Sequence, residues 1–357
     1  MSGICGHKLS DVAAQHLYDT VAAGTDEWYV QTLIFSFVIF LFQDLSLSSL
    51  KTLAVTFASL ALLLGVLPSL SQFWFFSFVG GMRVHIAVAA VCLSLIFLGL
   101  DRTLWSAIPL VASALLCLWV WHLHQSTVQP DARPDGNIRA LKLIEFNILG
   151  DNQDGAEIAD WLTDQNADVV YTLESGPLRP HLDALAKTYP YRVGCGELVK
   201  NCDLMMMSKY PLENPQVRNL GPLGAHRFIR AGININGARA TFVAMHLTKP
   251  YYETMQLEQL NSVKRYLRDA DGPLILAGDF NSSLLSPYIL NFLQTTGLRA
   301  FAHEPRTWPV EMPSIGLPID HILVRQPAYI ASVKRVRHNM GSNHFGLEAL
   351  ISLPVTP

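Results

Sequence analysis

Apolar residues run along this chain in two different ways, and the change between them falls near residue 122. Upstream stand four nearly continuous apolar runs: Trp28–Phe42, Leu50–Leu67, Val84–Leu100 and Leu104–Trp121. A membrane-spanning helix needs about 20 apolar residues, with a lower limit of about 17. The last three runs meet or nearly meet that length. The first is only 15 residues long and is interrupted by Gln31. It either spans by recruiting neighbours or lies in the interface as an anchor. Between the second and third runs, Phe73-Trp74-Phe75-Phe76 has the character of an aromatic belt at a membrane–water boundary. From Trp28 to Trp121 the only charged residues are Asp44, Lys51, Arg83, Asp101 and Arg102. Three long, almost uncharged runs so close together argue against a buried helical core. Residues 28–121 therefore read as a membrane region of three to four transmembrane helices, and the chain as an integral membrane protein. The polar segment 1–27 shows neither an n-region nor a cleavage pattern, so no removable signal peptide is expected.

Downstream the pattern changes. Residues 122–137 are polar, contain proline and lack periodicity, as a linker does. From residue 138 to 357, short apolar runs alternate with amphipathic segments. Strands are predicted at Ala140–Phe146, Asp168–Leu173, Asp203–Ser208, Phe228–Ile235, Ala238–Leu247, Leu274–Ala277, Ile319–Val324, Tyr329–Val336 and Leu347–Leu353. Helices are predicted at Glu157–Gln165, Leu178–Tyr189, Glu253–Arg268 and Pro287–Gln294. Nine strands interleaved with helices indicate an α/β domain, with antiparallel pairing where connections are short, as at Asn236-Gly237.

Composition adds two constraints. Half of the 357 residues are hydrophobic and 15% are charged, a deficit that lies in the membrane region. The downstream part carries 22 basic against 23 acidic residues. It lacks the basic surplus of a sequence-independent nucleic-acid binder, so no strong duplex DNA binding is expected. The bases in the short membrane loops are few. If Arg102 marks the cytoplasmic side, the last helix exits to the opposite side and the soluble domain is extracytoplasmic. Cys195 and Cys202 are close enough in sequence to close a loop through a disulfide, which persists only in oxidising compartments. Two free thiols are the competing reading.

The candidate chemistry is concentrated at the ends of predicted strands. Leu274-Ile275-Leu276-Ala277-Gly278-Asp279-Phe280-Asn281 is a buried strand, read as broken at Gly278, followed by a carboxylate and a carboxamide. In extended chain these two point to the same side and can address one point in space. An Asx-turn closing the strand is the plainer alternative. Yet Asn147, Glu174, His246, Asp320 and the run Ser342-Asn343-His344 also stand at or just beyond strand ends. Polar groups at one end of several central strands are where α/β folds build their sites.

In this order the motifs resemble the endonuclease/exonuclease/phosphatase superfamily, with Leu-Ala-Gly-Asp-Phe-Asn as the most specific block. Membrane-anchored bacterial members are similar upstream, and Thr307-Trp308-Pro309 fits that subgroup. The resemblance spans about residues 140–353. It implies a four-layer α/β sandwich, two packed mixed sheets flanked by helices, preceded here by a transmembrane helical region. It also implies phosphate-ester hydrolysis with Mg²⁺ or Mn²⁺. Carried over by position, Glu174 and Asn147 would hold the principal metal, with Asn343 at the same site. His344 would be the general base or electrostatic partner at the phosphate, oriented by Asp320. His246 would stabilise the phosphate or assist the leaving group. Asp279 would orient or activate water, and Asn281 would donate to the phosphate. One position departs from the pattern. The family's closing motif is usually Ser-Asp-His, whereas this chain has Ser342-Asn343-His344. The expectation is a metal-dependent phosphoesterase in the bacterial inner membrane, with the bilayer and a phosphate ester of nucleic acid, lipid head group or small molecule as partners. The competing class is a non-catalytic binding or scaffold module on a degenerate fold. A transporter is disfavoured, because the apolar runs hold no buried acid–base pairs beyond His85.

Overall fold

The computed structural model describes residues 46–70, 73–131 and 136–355. The segment 1–27 and the run Trp28–Phe42 lie outside the described residues. Upstream, α1 (Leu47–Val66), short α2 (Trp74–Gly80), α3 (Arg83–Asp101) and α4 (Ala107–Gln125) form a bundle. Three segments, Leu47–Ser69, Arg83–Asp101 and Leu104–Gln125, are long and apolar enough to cross a membrane, with mean hydropathies of 2.0, 2.2 and 1.9. Small residues bring the helices together: Ala54, Ala58 and Gly65 on α1, Ala87, Ala90 and Ser94 on α3, and Ser113 on α4 are buried. The Ser94 and Ser113 hydroxyls bond at 3.0 Å. At the far end of the bundle, Lys51 Nζ on α1 meets Asp101 Oδ1 on α3 at 3.0 Å.

The downstream domain is a sandwich of two mixed six-stranded sheets. One contains β1 (Ile138–Asn147), β2 (Val169–Leu173), β3 (Tyr191–Val193), β4 (Leu204–Ser208), β11 (Tyr329–Arg335) and β12 (Leu347–Pro354), in the order β11-β12-β1-β2-β4-β3. The other contains β5 (Leu212–Arg218), β6 (Phe228–Ile235), β7 (Ala238–His246), β8 (Leu274–Asp279), β9 (Arg299–Ala300) and β10 (Asp320–Arg325), in the order β5-β6-β7-β8-β10-β9. Period-two alternation sorts the side chains into layers. Leu143, Tyr171, Phe242, Ile275, Ile322 and Ile351 fill the core between the sheets. Outside the first sheet, Ile144, Phe146 and Val170 meet Ile158 and Leu162 of α5 (Gly155–Gln165). Outside the second, Val243, Met245 and Leu276 meet Leu260 of α6 (Met255–Tyr266) and Phe292 of α7 (Pro287–Thr296). The result is four layers.

The nine predicted strands form, and three more join them at sheet edges. Of these β3 and β9 are two or three residues long, and β5 carries Pro215 and a register shift between Glu213 and Gln216. Such edge strands bury too little to leave a periodic trace. The predicted helix Leu178–Tyr189 is instead a 3₁₀ stretch, Gly176–His181, followed by a single α-turn, Leu182–Leu185. Pro180 lacks the donor that a continuous helix needs there. Gly278 is not a break: it lies within β8, where an added Cβ would fall on the Met245 carbonyl oxygen. Only glycine lets β7 and β8 approach so closely. Asn236 and Gly237 take positive φ values of 51° and 93° in the tight turn joining β6 to β7.

The predicted linker region is partly structured. Helix α4 runs on to Gln125, and Gln129 exchanges two hydrogen bonds with the Ile330 backbone, at 2.6 and 2.9 Å. The bundle also docks directly on the catalytic-side loops. Arg83, fully buried, donates from Nη1 to Leu285 O at 2.7 Å and from Nη2 to Ser69 Oγ at 2.7 Å. Its guanidinium stacks 5.1 Å from the Trp119 ring centroid. Ser77 meets Ser286 at 2.7 Å, Ser283 donates to Gly81 O at 2.7 Å, and His85 bonds Ile315 O at 2.7 Å. Leu285 itself packs among Ala87, Ala90, Leu116 and Val120 of the bundle.

Candidate active site

The stripes that fill the inter-sheet core end in polar groups. On β1 the inward positions are Leu141, Leu143, Glu145 and Asn147, and on β7 they are Phe242, Ala244 and His246. On β8 they are Ile275, Ala277 and Asp279, and on β10, running the other way, Val324, Ile322 and Asp320. Strand register then sets the neighbours. His246 pairs with Asp279 across the parallel β7–β8 ladder, and Asp279 pairs with Asp320 across the antiparallel β8–β10 ladder. Asn147 and Glu174 approach from the facing sheet. Glu174 follows β2 with φ 54°, a turn that lifts its carboxylate out of the stripe and leaves it half-buried.

Asp279 is the hub. Its Oδ1 accepts from the Asn281 N–H at 2.6 Å, and its Oδ2 accepts from Asn147 Nδ2 and Asn281 Nδ2, each at 3.1 Å. The Asx-turn offered as the plainer alternative is therefore present, and it holds the Asp279 carboxylate and the Asn281 amide together. Two imidazoles converge on the same Oδ2: His246 Nε2 at 3.7 Å and His344 Nε2 at 4.0 Å. Each is held at Nδ1 by a carboxylate, His344 by Asp320 Oδ2 at 2.8 Å and His246 by Asp203 Oδ2 at 3.2 Å. Asp203 is fixed in turn by Arg227, whose Nε lies 2.7 Å from Oδ2.

Asn147 works as a clamp in this arrangement. Its Nδ2 reaches Glu174 Oε1 at 3.3 Å as well as Asp279, and its Oδ1 accepts from Leu149 N at 3.1 Å. Asn281, expected to donate to phosphate, spends its amide hydrogens on Leu247 O at 2.9 Å and on Asp279. It therefore holds Asp279 in place. Glu174 Oε2 accepts from the Gly150 N–H at 2.8 Å. Ser342 Oγ ties the closing motif to the Asn147 carbonyl at 2.7 Å, and Asn343 stands exposed on the rim.

Glu174, Arg227, His246, Asp279, Asn281, Asn343 and His344 line one cleft of about 560 Å³. Its electrostatics follow from burial. Desolvation, then the Asp320 charge, raises the Asp279 carboxyl above its ordinary value, opposed by the two histidines. Burial alone would depress His344. The Asp320 carboxylate and its hydrogen bond, with Asp279 and Glu174, outweigh that and push it up to about 9. Burial is also the largest influence on Asp203, but its hydrogen bond to His246 and the charges of His246 and Arg227 bring it below the usual carboxylate range. Asp279, Asp320 and His344 offer ligand atoms within 4.8 Å of one another. The His344–Asp320 contact already satisfies that cluster as an ion pair, so the half-buried Glu174 is the better-placed carboxylate for a cation.

The Endonuclease/Exonuclease/phosphatase family profile matches residues 144–344, more than half of the 357-residue chain. The chain belongs to this family. No curated protein matches the sequence. Among solved structures, the family protein from Bacteroides vulgatus is 16% identical, with a TM-score of 0.50 over 60% of this chain and 100% of that one. D. rerio TDP2 complexed with single-strand DNA product is also 16% identical, with a TM-score of 0.50 over 59% of this chain and 98% of that one. A mutant beta toxin from Staphylococcus aureus with bound magnesium ions is 17% identical, at a TM-score of 0.47 over 59% and 99%. At such identities the likeness is one of fold. The family is one of phosphoesterase folds, and the acidic and histidine residues above are the candidate site in this chain.

Two members of this site escaped sequence reading. Asp203 opens a predicted strand but meets His246 only through the β4–β7 approach of the two sheets. Glu145 was visible as an acid two residues before Asn147, on the same stripe. It is fully buried with neither oxygen hydrogen-bonded to protein, and burial, then Asp320 and Asp279, holds its carboxyl well above the usual range.

The His344–Asp320 pair makes stability depend on pH. Because the folded pKa of about 9 exceeds the ordinary 6.5, its contribution is complete below pH 6.5 and disappears as pH rises through 9. At about 1.4 kcal/mol per unit, the upper limit is about 3 kcal/mol. In chelator-treated protein, the thermal midpoint of wild type should therefore fall more steeply over that window than that of His344→Gln. Parallel curves would assign the titration elsewhere.

Proposed function

We propose that the protein is a membrane-anchored phosphoesterase that uses a divalent metal and cleaves a phosphodiester or phosphomonoester by attack of water. The observation that carries this reading is the convergence of two carboxylate-held histidines on one oxygen of Asp279, in a cleft shared with Glu174. A binding module has no need of two oriented imidazoles facing one carboxylate.

The donor set fits a hard cation. Glu145, Asp279 and Asp320 are buried together, and Asp320 Oδ1 and both Glu145 oxygens accept no hydrogen bond from protein. Carboxylate and amide oxygens suit Mg²⁺ or Mn²⁺. Glu174 would hold the ion, beside Asn147 and Asn343, and the bound ion would supply Lewis-acid stabilisation of the phosphoryl oxygens. The remaining chemistry belongs to the protein. Asp279, kept in place by Asn147 and Asn281, orients the attacking water and accepts its proton. His344 stays protonated at neutral pH and offers positive charge to the phosphate, while Asp320 positions its ring. His246, positioned by Asp203, donates from Nε2 to the phosphate or the departing oxygen.

The arrangement of the bundle bears on location. Lys51 and Arg102 lie at the end of α1 and α3 remote from the domain, whereas Arg83 is buried at the docked end. By the positive-inside tendency the remote end is cytoplasmic, which puts the catalytic domain outside the bacterial inner membrane. The Cys195–Cys202 disulfide accords with that compartment. It closes the loop just before Asp203, contributing about 2 kcal/mol through loop entropy.

Three measurements test this reading, each on the full chain in lipid nanodiscs. Glu174→Gln should abolish Mg²⁺- or Mn²⁺-dependent turnover of model phosphomonoesters and phosphodiesters without changing the melting temperature, and wild-type turnover would misplace the metal. Asn343→Asp should lower the half-saturating metal concentration by about tenfold or less, the equivalent of about 1 kcal/mol after desolvation. Silence from wild type and variant alike, across a broad substrate panel, would favour a non-catalytic module. Alkaline-phosphatase fusions after residue 125 should be active, and inactive fusions would invert the topology.

A further inference from the structure

The cleft that contains the catalytic groups is not built by the catalytic domain alone. Phe78, Gly81 and Met82, from α2 and the turn into α3, form part of its wall. These residues belong to the membrane anchor, and their position is fixed by the docking of Arg83, Ser77 and Gly81 onto residues 283–286. Phe78 packs edge-on against Tyr251 of the domain, with ring centroids 6.4 Å apart, and Tyr251 stacks on Tyr252 at 5.0 Å.

The cleft therefore combines two kinds of lining. Glu174, His246, Asp279 and His344 are its charged and polar groups, and Phe78 and Tyr251, packed on one another, with Met82 add an apolar part. Its volume, about 560 Å³, exceeds what a phosphate group requires and is ordinary for a ligand with a substantial apolar part. Nucleic acid fits this lining poorly. Among the described residues, the lysine and arginine side chains on it are Lys249 and Arg227, and Arg227 is engaged by Asp203, whereas a polyanion calls for several free cations beyond the histidines of the site.

The apolar part lies beside the domain-side end of the membrane-length helices. The segments around it expose large apolar side chains: Tyr251 and Tyr252 on one loop, Met312 and Ile315 on another, with Met312 51% and Ile315 62% exposed. The second loop is tied to the first turn of α3 by the His85–Ile315 bond, which sets it at the end of a membrane-length helix. Tyrosines and exposed aliphatics at the end of a spanning bundle are the groups that sit in a membrane interface.

We infer that the substrate is a phosphate ester carried on a membrane lipid, drawn from the leaflet beside the catalytic domain, with Phe78–Met82 forming the wall against its apolar part. This rests on the phosphoesterase reading above and specifies its substrate class. The reaction is hydrolytic: water adds to phosphorus, the bond from phosphorus to an ester oxygen breaks, and that oxygen takes up the proton.

The test uses the full chain in vesicles of phosphatidylethanolamine and phosphatidylglycerol with Mn²⁺. Release of water-soluble phosphate ester is followed for those lipids, for their deacylated glycerophosphodiesters, and for bis(p-nitrophenyl) phosphate as a lipid-free reporter. The expected result is turnover of at least one lipid with little turnover of its deacylated counterpart. Phe78→Ser should lower the ratio of lipid to reporter turnover about tenfold, the equivalent of one apolar side-chain contact, and Phe78→Leu should restore it. Reporter cleavage with lipid and deacylated forms cleaved alike, or with neither cleaved, would overturn the lipid assignment and leave a phosphoesterase. Absence of turnover of reporter and lipid alike would overturn the phosphoesterase reading and this inference with it. An unchanged ratio in Phe78→Ser would remove the anchor from the substrate wall.

Discussion

A carboxylate with almost no access to water must be held by something else, and Asp279 is the point where this protein meets that requirement. It ends the innermost stripe of β8, where Ile275 and Ala277 fill the core below it. Continuing the same two-residue period puts a charge where the core expects a hydrocarbon. Amide hydrogens from Asn147 and Asn281 and the Nε2 edges of two imidazoles replace the missing water. Each imidazole then needs its own carboxylate, and each of those carboxylates needs a partner. Arg227 serves Asp203, while Thr307 Oγ1 accepts from the backbone N–H groups of Ile319 and Asp320 and fixes the start of β10. The network grows outward from a single buried charge, and both sheets must contribute to it. Misalignment of the sheets would leave that charge unpaired, so packing and chemistry are coupled.

This coupling explains how much of the site was legible in the sequence. The period-two stripes could be read directly, and a polar residue at the end of an apolar stripe stands out against it. Asn147, His246, Asp279 and Asp320 all have that signature, and the Leu-Ala-Gly-Asp-Phe-Asn block and its companions fit the family's order. The four-layer fold was accessible for the same reason, since buried strands and amphipathic helices leave opposite periodicities. What escaped reading depends on distance in space. Asp203 and Arg227 stand just before β4 and β6, in different sheets, and meet only when the sandwich closes. Gly278 has the appearance of a breaker in sequence and is in fact a contact between strands. The short edge strands and the 3₁₀ stretch at Pro180 bury too little to impose a period.

The membrane region shows the same division. Run lengths and hydropathy identify candidate spans, because a bilayer constrains length and polarity whatever the fold. They do not reveal that Arg83 is a docking residue. Read alone, an arginine at the start of a spanning helix is a topological charge. Here it donates to a carbonyl of the catalytic side, binds a serine of its own bundle and stacks on Trp119. Such a residue resists substitution by lysine, which has neither the planar face nor the fork of donors.

A flexible tether would raise the local concentration of an enzyme near a membrane without orienting it. Docking does more. Leu285 is buried among bundle residues only a few positions beyond Asp279 and Asn281, on the loop leading into α7. The hydrogen bonds of Ser283 and Ser286 to the anchor fall on that same loop. The segment that completes the Asp279 turn is thus also the segment that grips the membrane helices, so the anchor's position and the site's geometry are set by one stretch of chain. Loss of the bundle would leave Ser283, Leu285 and Ser286, all within five residues of Asn281, without these partners. Two consequences follow from one constraint: the cleft keeps a fixed position relative to the apolar helices, and the downstream domain is not structurally independent of the bundle it docks on.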